Sequence, residues 1–106
     1  MTLSDHQLRF LRGKSHPLKP LILIGQSGLT DGVCAEAERA LNDHELIKVK
    51  VRGAERLERD QMLAELARRT DSTLVQRIGH VAALYRAHPK APKLILPDSP
   101  AATTQL

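Results

Sequence analysis

Aromatic residues are nearly absent from this 106-residue chain, which has no tryptophan and only Phe10 and Tyr85. Proteins that bind single-stranded nucleic acids through RRM or OB domains stack the bases on aromatic side chains. The chain has too few of these side chains for that mode of recognition. If it binds a nucleic acid, it does so mainly through its backbone and its charges.

Cysteine and long apolar runs are also scarce. Cys34 is the single cysteine, so no disulfide can form within the chain, and we expect a reducing compartment. No apolar run approaches the roughly 20 residues that span a bilayer. The first 12 residues are too polar for a signal peptide. We therefore expect a cytoplasmic protein with no membrane partner.

Arrangements of catalytic or metal-binding residues are missing as well. The five histidines show no spacing typical of a metal site, and Ser27 belongs to no recognisable nucleophile arrangement. Neither a P-loop nor a Gly-x-Gly-x-x-Gly dinucleotide turn is present. The sequence therefore predicts a protein that is not an enzyme and that uses no metal, no cofactor and no small-molecule substrate.

Positive charge is what the chain has in excess. Its 16 Lys and Arg residues outnumber its 12 Asp and Glu residues, which gives a net charge of +4 and a pI near 9.6. This excess favours a polyanionic partner. Charge alone leaves open the alternative of a basic surface without a specific partner.

Helix and strand signals alternate along the chain. Ser4 and Gln7 form a capping box that begins a first helix, which we expect to end at Gly13. Apolar periodicity and turn residues predict a strand at 21–24, a helix at 30–43, a strand at 45–52, a helix at 57–70, and hairpin strands at 73–78 and 81–86.

This order, α-β-α-β-α-β-β, predicts an α/β fold of the two-layer α+β type with a four-stranded mixed sheet. The strand-helix-strand connections make the first three strands parallel, and the hairpin makes the last strand antiparallel to its neighbour. Prolines become frequent after residue 87. We therefore expect one domain at residues 1–87 and a Pro-rich, largely disordered tail at 88–106.

The most informative segment is the Gly-x-x-Gly turn formed by Gly25, Gln26, Ser27 and Gly28. Its two glycines let another molecule approach the backbone closely. The following helix, with Thr30 as N-cap, begins with free amides and the positive end of the helix dipole, which together favour a phosphate. The alternative is that the glycines serve only the geometry of the turn.

The second strand carries a row of cations. Lys48, Lys50 and Arg52 alternate with three apolar residues, so the cations share one sheet face. Because three cations are costly to bury, we expect that face to be solvated or to face an anion. Parallel pairing places Arg52 at the same sheet edge as the glycine turn.

The same topology predicts positions for charged residues outside the second strand. The hairpin residues Arg77 and His80 should lie near the edge that holds the glycine turn. Lys19 should lie at the opposite edge, where the first strand begins. Lys14 and Lys19 are either phosphate contacts or ordinary charges of the linker.

Several segments together resemble the CRM (chloroplast RNA splicing and ribosome maturation) domain in its stand-alone, bacterial YhbY-like form. The resemblance covers Leu3 to Arg86 and rests on residues 16–20, 21–30, 44–50 and 78–86. It implies a fold similar to the C-terminal domain of translation initiation factor 3, with an added N-terminal helix. It also implies RNA binding through the glycine loop, much as in KH domains, and association with precursors of the large ribosomal subunit.

The two middle residues of the turn, Gln26 and Ser27, carry no positive charge, so the cations that neutralise a phosphate must come from elsewhere in the chain. We therefore predict a monomeric RNA-binding protein that associates with ribosomal RNA during assembly of the large subunit. The predicted RNA-binding residues are Gly25, Gln26, Ser27, Gly28, Lys14, Lys19, Lys48, Lys50 and Arg52. The alternative is a protein-interaction adaptor on ribosomal particles that makes no direct RNA contact.

Overall fold

Three helices pack against a single four-stranded sheet in the computed structural model, which describes residues 2–98. The elements are α1 (Asp5–Ser15), β1 (Pro20–Ile24), α2 (Asp31–His44), β2 (Leu46–Val51), α3 (Arg56–Arg69), β3 (Thr73–Ile78) and β4 (Val81–Tyr85). The α-β-α-β-α-β-β order predicted from the sequence is confirmed. None of the helices in the described range is long and apolar enough to cross a bilayer.

The four strands form a mixed sheet in the order β1-β2-β4-β3. β1 pairs in parallel with β2, so that Ile24 lies opposite Val51. β4 pairs antiparallel with both β2 and β3. The first three strands therefore run in the same direction, as predicted, but the hairpin places β4 between β2 and β3.

Helices α2 and α3 cover one face of the sheet and form the main core with it. The alternation in β2 places Ile47, Val49 and Val51 in this core, each at most 1 % exposed. Leu41 of α2 and Leu63 of α3 pack against them and are fully buried. This layer of two helices on a sheet is the two-layer arrangement predicted from the sequence.

Helix α1 covers part of the opposite face, which we call the second face. Leu11 packs there in a smaller core with Leu46, Ala83 and Tyr85. The sequence predicted that this face is solvated or faces an anion, but α1 covers it where β2 begins and leaves it open where β2 ends. The predicted end of α1 at Gly13 is wrong, because the helix continues to Ser15.

The segment from His88 to Asp98 contains no helix or strand and lies against the second face. Leu96 is 7 % exposed within the smaller core, and the Gln7 side-chain amide donates to the carbonyl oxygen of Pro97 (3.0 Å). Residues 99–106 of the expected disordered tail lie outside the described residues. The domain boundary after residue 87 stays a prediction.

Candidate nucleic-acid interface

The Gly-x-x-Gly turn lies at the carboxyl end of β1. The Gly28 amide donates to the Gly25 carbonyl oxygen (3.0 Å) and closes a four-residue turn. Gly28 has a φ of 74°, which glycine adopts without the steric cost of a Cβ. A Cβ added to Gly25 has no atom within 4 Å. The space beside Gly25 is therefore open to another molecule.

The N-terminus of α2 already has more partners within the protein than the sequence predicted. Thr30 Oγ1 accepts a hydrogen bond from the Val33 amide (3.1 Å). The Asp31 carboxylate lies in the first turn and pairs with Arg69 (2.8 Å). A carboxylate at this position already stabilises the positive end of the helix dipole and opposes a second anion. A phosphate at the glycine turn therefore needs cations from elsewhere.

Arg52 supplies a cation directly beside the turn. Its amide donates to the Ile24 carbonyl oxygen (2.9 Å), which extends the parallel pairing by one residue. Gly53 then turns the chain with a φ of 72°, and a Cβ added there lies 3.8 Å from Cγ of Gln26. The two turns are therefore in contact. The Arg52 side chain is exposed and has no ion-pair or hydrogen-bond partner within residues 2–98.

The strand lysines continue from Arg52 along the second face. Lys50 lies between Leu23 of β1 and Val81 of β4 and has no charged partner in the described chain. Lys48 Nζ donates to the carbonyl oxygen of His16, just after α1 (3.2 Å). We call Arg52, Lys50 and Lys48 the basic band. Its members are two residues apart, or about 6.5 Å along the strand.

Lys14 and Lys19 do not join the glycine turn. The Lys14 ammonium lies 5.6 Å from the centre of the Phe10 ring, a cation–π contact within α1. Lys19 is exposed just before β1 begins, at the sheet edge opposite the turn, as expected. The nine predicted residues therefore form a turn with a basic band, and two lysines lie beyond the far end of that band.

The β3–β4 hairpin completes the edge that holds the turn. The His80 carbonyl oxygen accepts from the Val51 amide (2.8 Å), so His80 lies near this edge as expected. One Arg59 amino group lies 3.0 Å from Nδ1 of His80. Arg77 pairs with Asp60 of α3 at 2.5 Å, which neutralises its charge. Arg59 was not predicted from the sequence, because its contact with His80 joins residues 21 positions apart.

A groove that the sequence did not predict lies on the open part of the second face. It has a volume of about 320 Å³. Its lining residues are His16, Pro20, Lys48, Gln76, Ile78, Val81, Ala82 and Ala83. The alternation of β3 could not reveal it, because the β3–β4 register shifts between Leu74 and Gln76. We call it the open groove, and it adjoins the basic band at Lys48.

Several charged side chains elsewhere in the described range are paired with one another. Arg68 donates to Glu65 (2.8 Å), and this hydrogen bond lowers the pKa of the Glu65 carboxyl. Cys34 is buried in the main core. Within residues 2–98, no group of three or more His, Cys, Asp or Glu residues is placed to hold a metal ion. The turn and the basic band are therefore the strongest candidate site.

Comparison with known families identifies the family of this chain. The sequence model of the CRS1/YhbY (CRM) domain matches residues 3–86. The chain belongs to the CRM domain family. A relative named an RNA-binding protein, from Haemophilus influenzae, is 49 % identical over 96 residues, or 91 % of this chain and 96 % of the relative.

Two further relatives of this CRM protein carry similar descriptions. A probable RNA-binding protein from Pseudomonas aeruginosa is 50 % identical over 93 residues, covering 88 % of this chain and 89 % of the relative. A Staphylococcus aureus protein, whose solution structure is described as a hypothetical RNA-binding protein, is 30 % identical. It matches with a TM-score of 0.79 over 91 % of this chain and all of that chain. The family and its relatives are named for RNA binding and not for enzymatic activity.

Proposed function

We propose that this CRM protein binds RNA through the glycine turn and the basic band. The observation that carries this proposal is the position of two unpaired cations, Arg52 and Lys50, beside a turn that leaves open space at Gly25. The names of its relatives support the proposal. A single copy holds both parts of the site, so we propose that the protein binds as a monomer.

In the proposed complex, one backbone phosphate lies at the tip of the turn. Gln26 and Ser27 are exposed there and donate hydrogen bonds to phosphate or sugar oxygens. The Arg52 guanidinium forms the charge-assisted contact that the turn itself lacks. Lys50 meets the next phosphate along the strand. Contacts of this kind position the RNA backbone and carry little sequence information.

The ribosome is the setting that we propose for this binding, with ribosomal RNA in precursors of the large subunit as the target. The protein should sediment with these particles, and nuclease treatment should release it. Retention on nuclease-treated particles would instead favour the alternative, an adaptor that docks its basic face on an acidic protein surface. That result would contradict direct RNA binding as the basis of the association.

Gly25→Ala tests the turn without disturbing the fold. The added methyl group meets nothing within 4 Å and Gly25 has no positive φ, so the variant should be as stable as the wild type or slightly more stable. In the proposed complex, the methyl group obstructs the approaching phosphate. Loss of one charge-assisted hydrogen bond should weaken binding to a hairpin RNA by about tenfold or more.

Gly13→Ala is the matched control for this experiment. A Cβ at Gly13 also meets nothing within 4 Å, and Gly13 lies in α1, away from the turn. Fluorescence anisotropy with a labelled hairpin RNA gives both affinities. Equal affinities for the two variants would exclude close approach at Gly25.

A further inference from the structure

The second face carries exposed aliphatic side chains next to the basic band. Leu23, Lys50, Val81 and Ile78 form a row across all four strands. Leu23 is 47 % exposed and Ile78 is 68 % exposed. Aliphatic side chains that are adjacent and exposed on a sheet face are typical of a binding surface. This row begins at Leu23 on β1, two residues before the glycine turn.

Below this row, the open groove combines apolar walls with a few polar groups. Ile78 and Val81 form one side, and Lys48 and His16 lie at the end nearest α1. The Gln76 side-chain amide has no hydrogen-bond partner within residues 2–98. It therefore has two donors and one acceptor available to a ligand. None of the residues that line the groove is acidic.

We infer that the open groove holds an unpaired nucleobase of the bound RNA, with its face on Ile78 and Val81 and its edge at Gln76. This inference rests on the proposed RNA binding. A base in the groove places its own phosphate near Lys48 and Lys50, which continues the phosphate path from the turn. A glutamine amide matches the donor and acceptor edge of a base, adenine in particular.

The alternative occupant, an apolar segment of a protein partner, fits these charges less well. The groove borders two lysines of the basic band and contains no carboxylate to guide a peptide amide or a basic side chain. An RNA strand supplies a flat apolar base and a negative phosphate in each nucleotide, which is the combination that this face presents in complementary form. The groove also gives aliphatic contacts to a base in a chain that has almost no aromatic residues.

Two RNAs and one exposed substitution test this inference. The RNAs are a blunt hairpin and the same hairpin with a short single-stranded adenosine extension. Wild-type protein should bind the extended hairpin more tightly than the blunt one. Ile78→Ser should lower the ratio of these two affinities by about fivefold, because it removes apolar contact with the base. Affinity for the blunt hairpin should not change. Leu57→Ser is the matched control. Leu57 is similarly exposed, at 70 %, but it lies on α3, which covers the sheet face opposite the groove.

Gln76→Ala tests the edge of the base. It should reduce the difference in affinity between adenosine and uridine extensions, and it should leave the blunt hairpin unaffected. A wild-type protein that binds both hairpins equally would overturn the base-binding groove while leaving the proposed function intact. Absence of binding to either hairpin would overturn both. If a protein segment occupies the groove instead, Ile78→Ser should keep the wild-type affinity for RNA but lose association with nuclease-treated particles.

Discussion

The Glu45 side chain anchors residues 88–98 on the second face. Its replacement tests how much this anchor contributes to stability. Its side chain is fully buried. One carboxylate oxygen accepts from the amides of Lys93 (2.7 Å) and Leu94 (2.8 Å), and the other accepts from the amide of His88 (2.7 Å). Glu45 also ends α2 with a φ of 64°, although the sequence predicted it within a strand. A buried carboxylate is stable in such a place because every oxygen has a donor.

We expect Glu45→Gln to lower the free energy of unfolding by about 2–4 kcal/mol. One oxygen becomes an amide nitrogen, which cannot accept, so at least one buried backbone N–H loses its partner at a cost of about 1–3 kcal/mol. The remaining hydrogen bonds lose their charge assistance and weaken, which adds about 1 kcal/mol. Release of residues 88–98 limits the total loss, because water can then solvate the freed amides.

Urea unfolding and amide hydrogen exchange measure the two parts of this effect. The amides of His88, Lys93 and Leu94 should lose protection in Glu45→Gln before the amides of the sheet do. Glu36→Gln is the control, because Glu36 lies exposed on the same helix and has no partner within the described residues. Equal stability and equal protection in the two variants would refute the anchoring role of Glu45.

Two further predictions concern Tyr85 and Thr30. Burial, and then the nearby Glu45 carboxylate, raise the pKa of Tyr85 above its ordinary value of 10.0; because the unfolded chain releases this proton first, stability should fall as the pH rises past 10. Tyr85 is the sole tyrosine, so its ultraviolet absorbance should titrate later in native than in denatured protein, and coincident curves would contradict its burial. Thr30→Ala removes the side-chain cap of α2 and should cost about 1 kcal/mol in urea unfolding; an unchanged midpoint would mean that the cap contributes nothing.

Local patterns predicted much of this fold because local chemistry determines those features. The capping box at Ser4 begins α1 as expected, since both of its hydrogen bonds lie within one turn. Alternation in β2 predicted that Ile47, Val49 and Val51 share the face opposite the cations, because strand side chains alternate. That face is the one buried in the main core. Parallel pairing of β1 and β2 then placed Arg52 beside the glycine turn without any knowledge of side-chain contacts.

Long-range choices were not predictable from these patterns. The hairpin could add β3 or β4 beside β2, and the burial of Ala82 and Leu84 in the main core accompanies the arrangement with β4 inside. The position of α1 on the second face likewise depends on tertiary packing around Leu11. The pairing of Arg69 with Asp31 joins residues 38 positions apart. These contacts determine which cations remain available to RNA. Because sequence patterns do not reveal them, the N-terminus of α2 was expected to favour a phosphate more than it does, and the open groove was not predicted.

The salt dependence of RNA binding tests the central claim most directly. For a hairpin RNA, a plot of log affinity against log salt should have a steep negative slope, and Lys50→Gln or Arg52→Gln should each flatten it by up to about one unit. Arg39→Gln is the control, because Arg39 is exposed on α2, has no partner in the described chain and changes the net charge equally. Its slope should equal that of the wild type. An affinity that does not depend on salt, or equal slopes for all three variants, would contradict phosphate binding by the basic band.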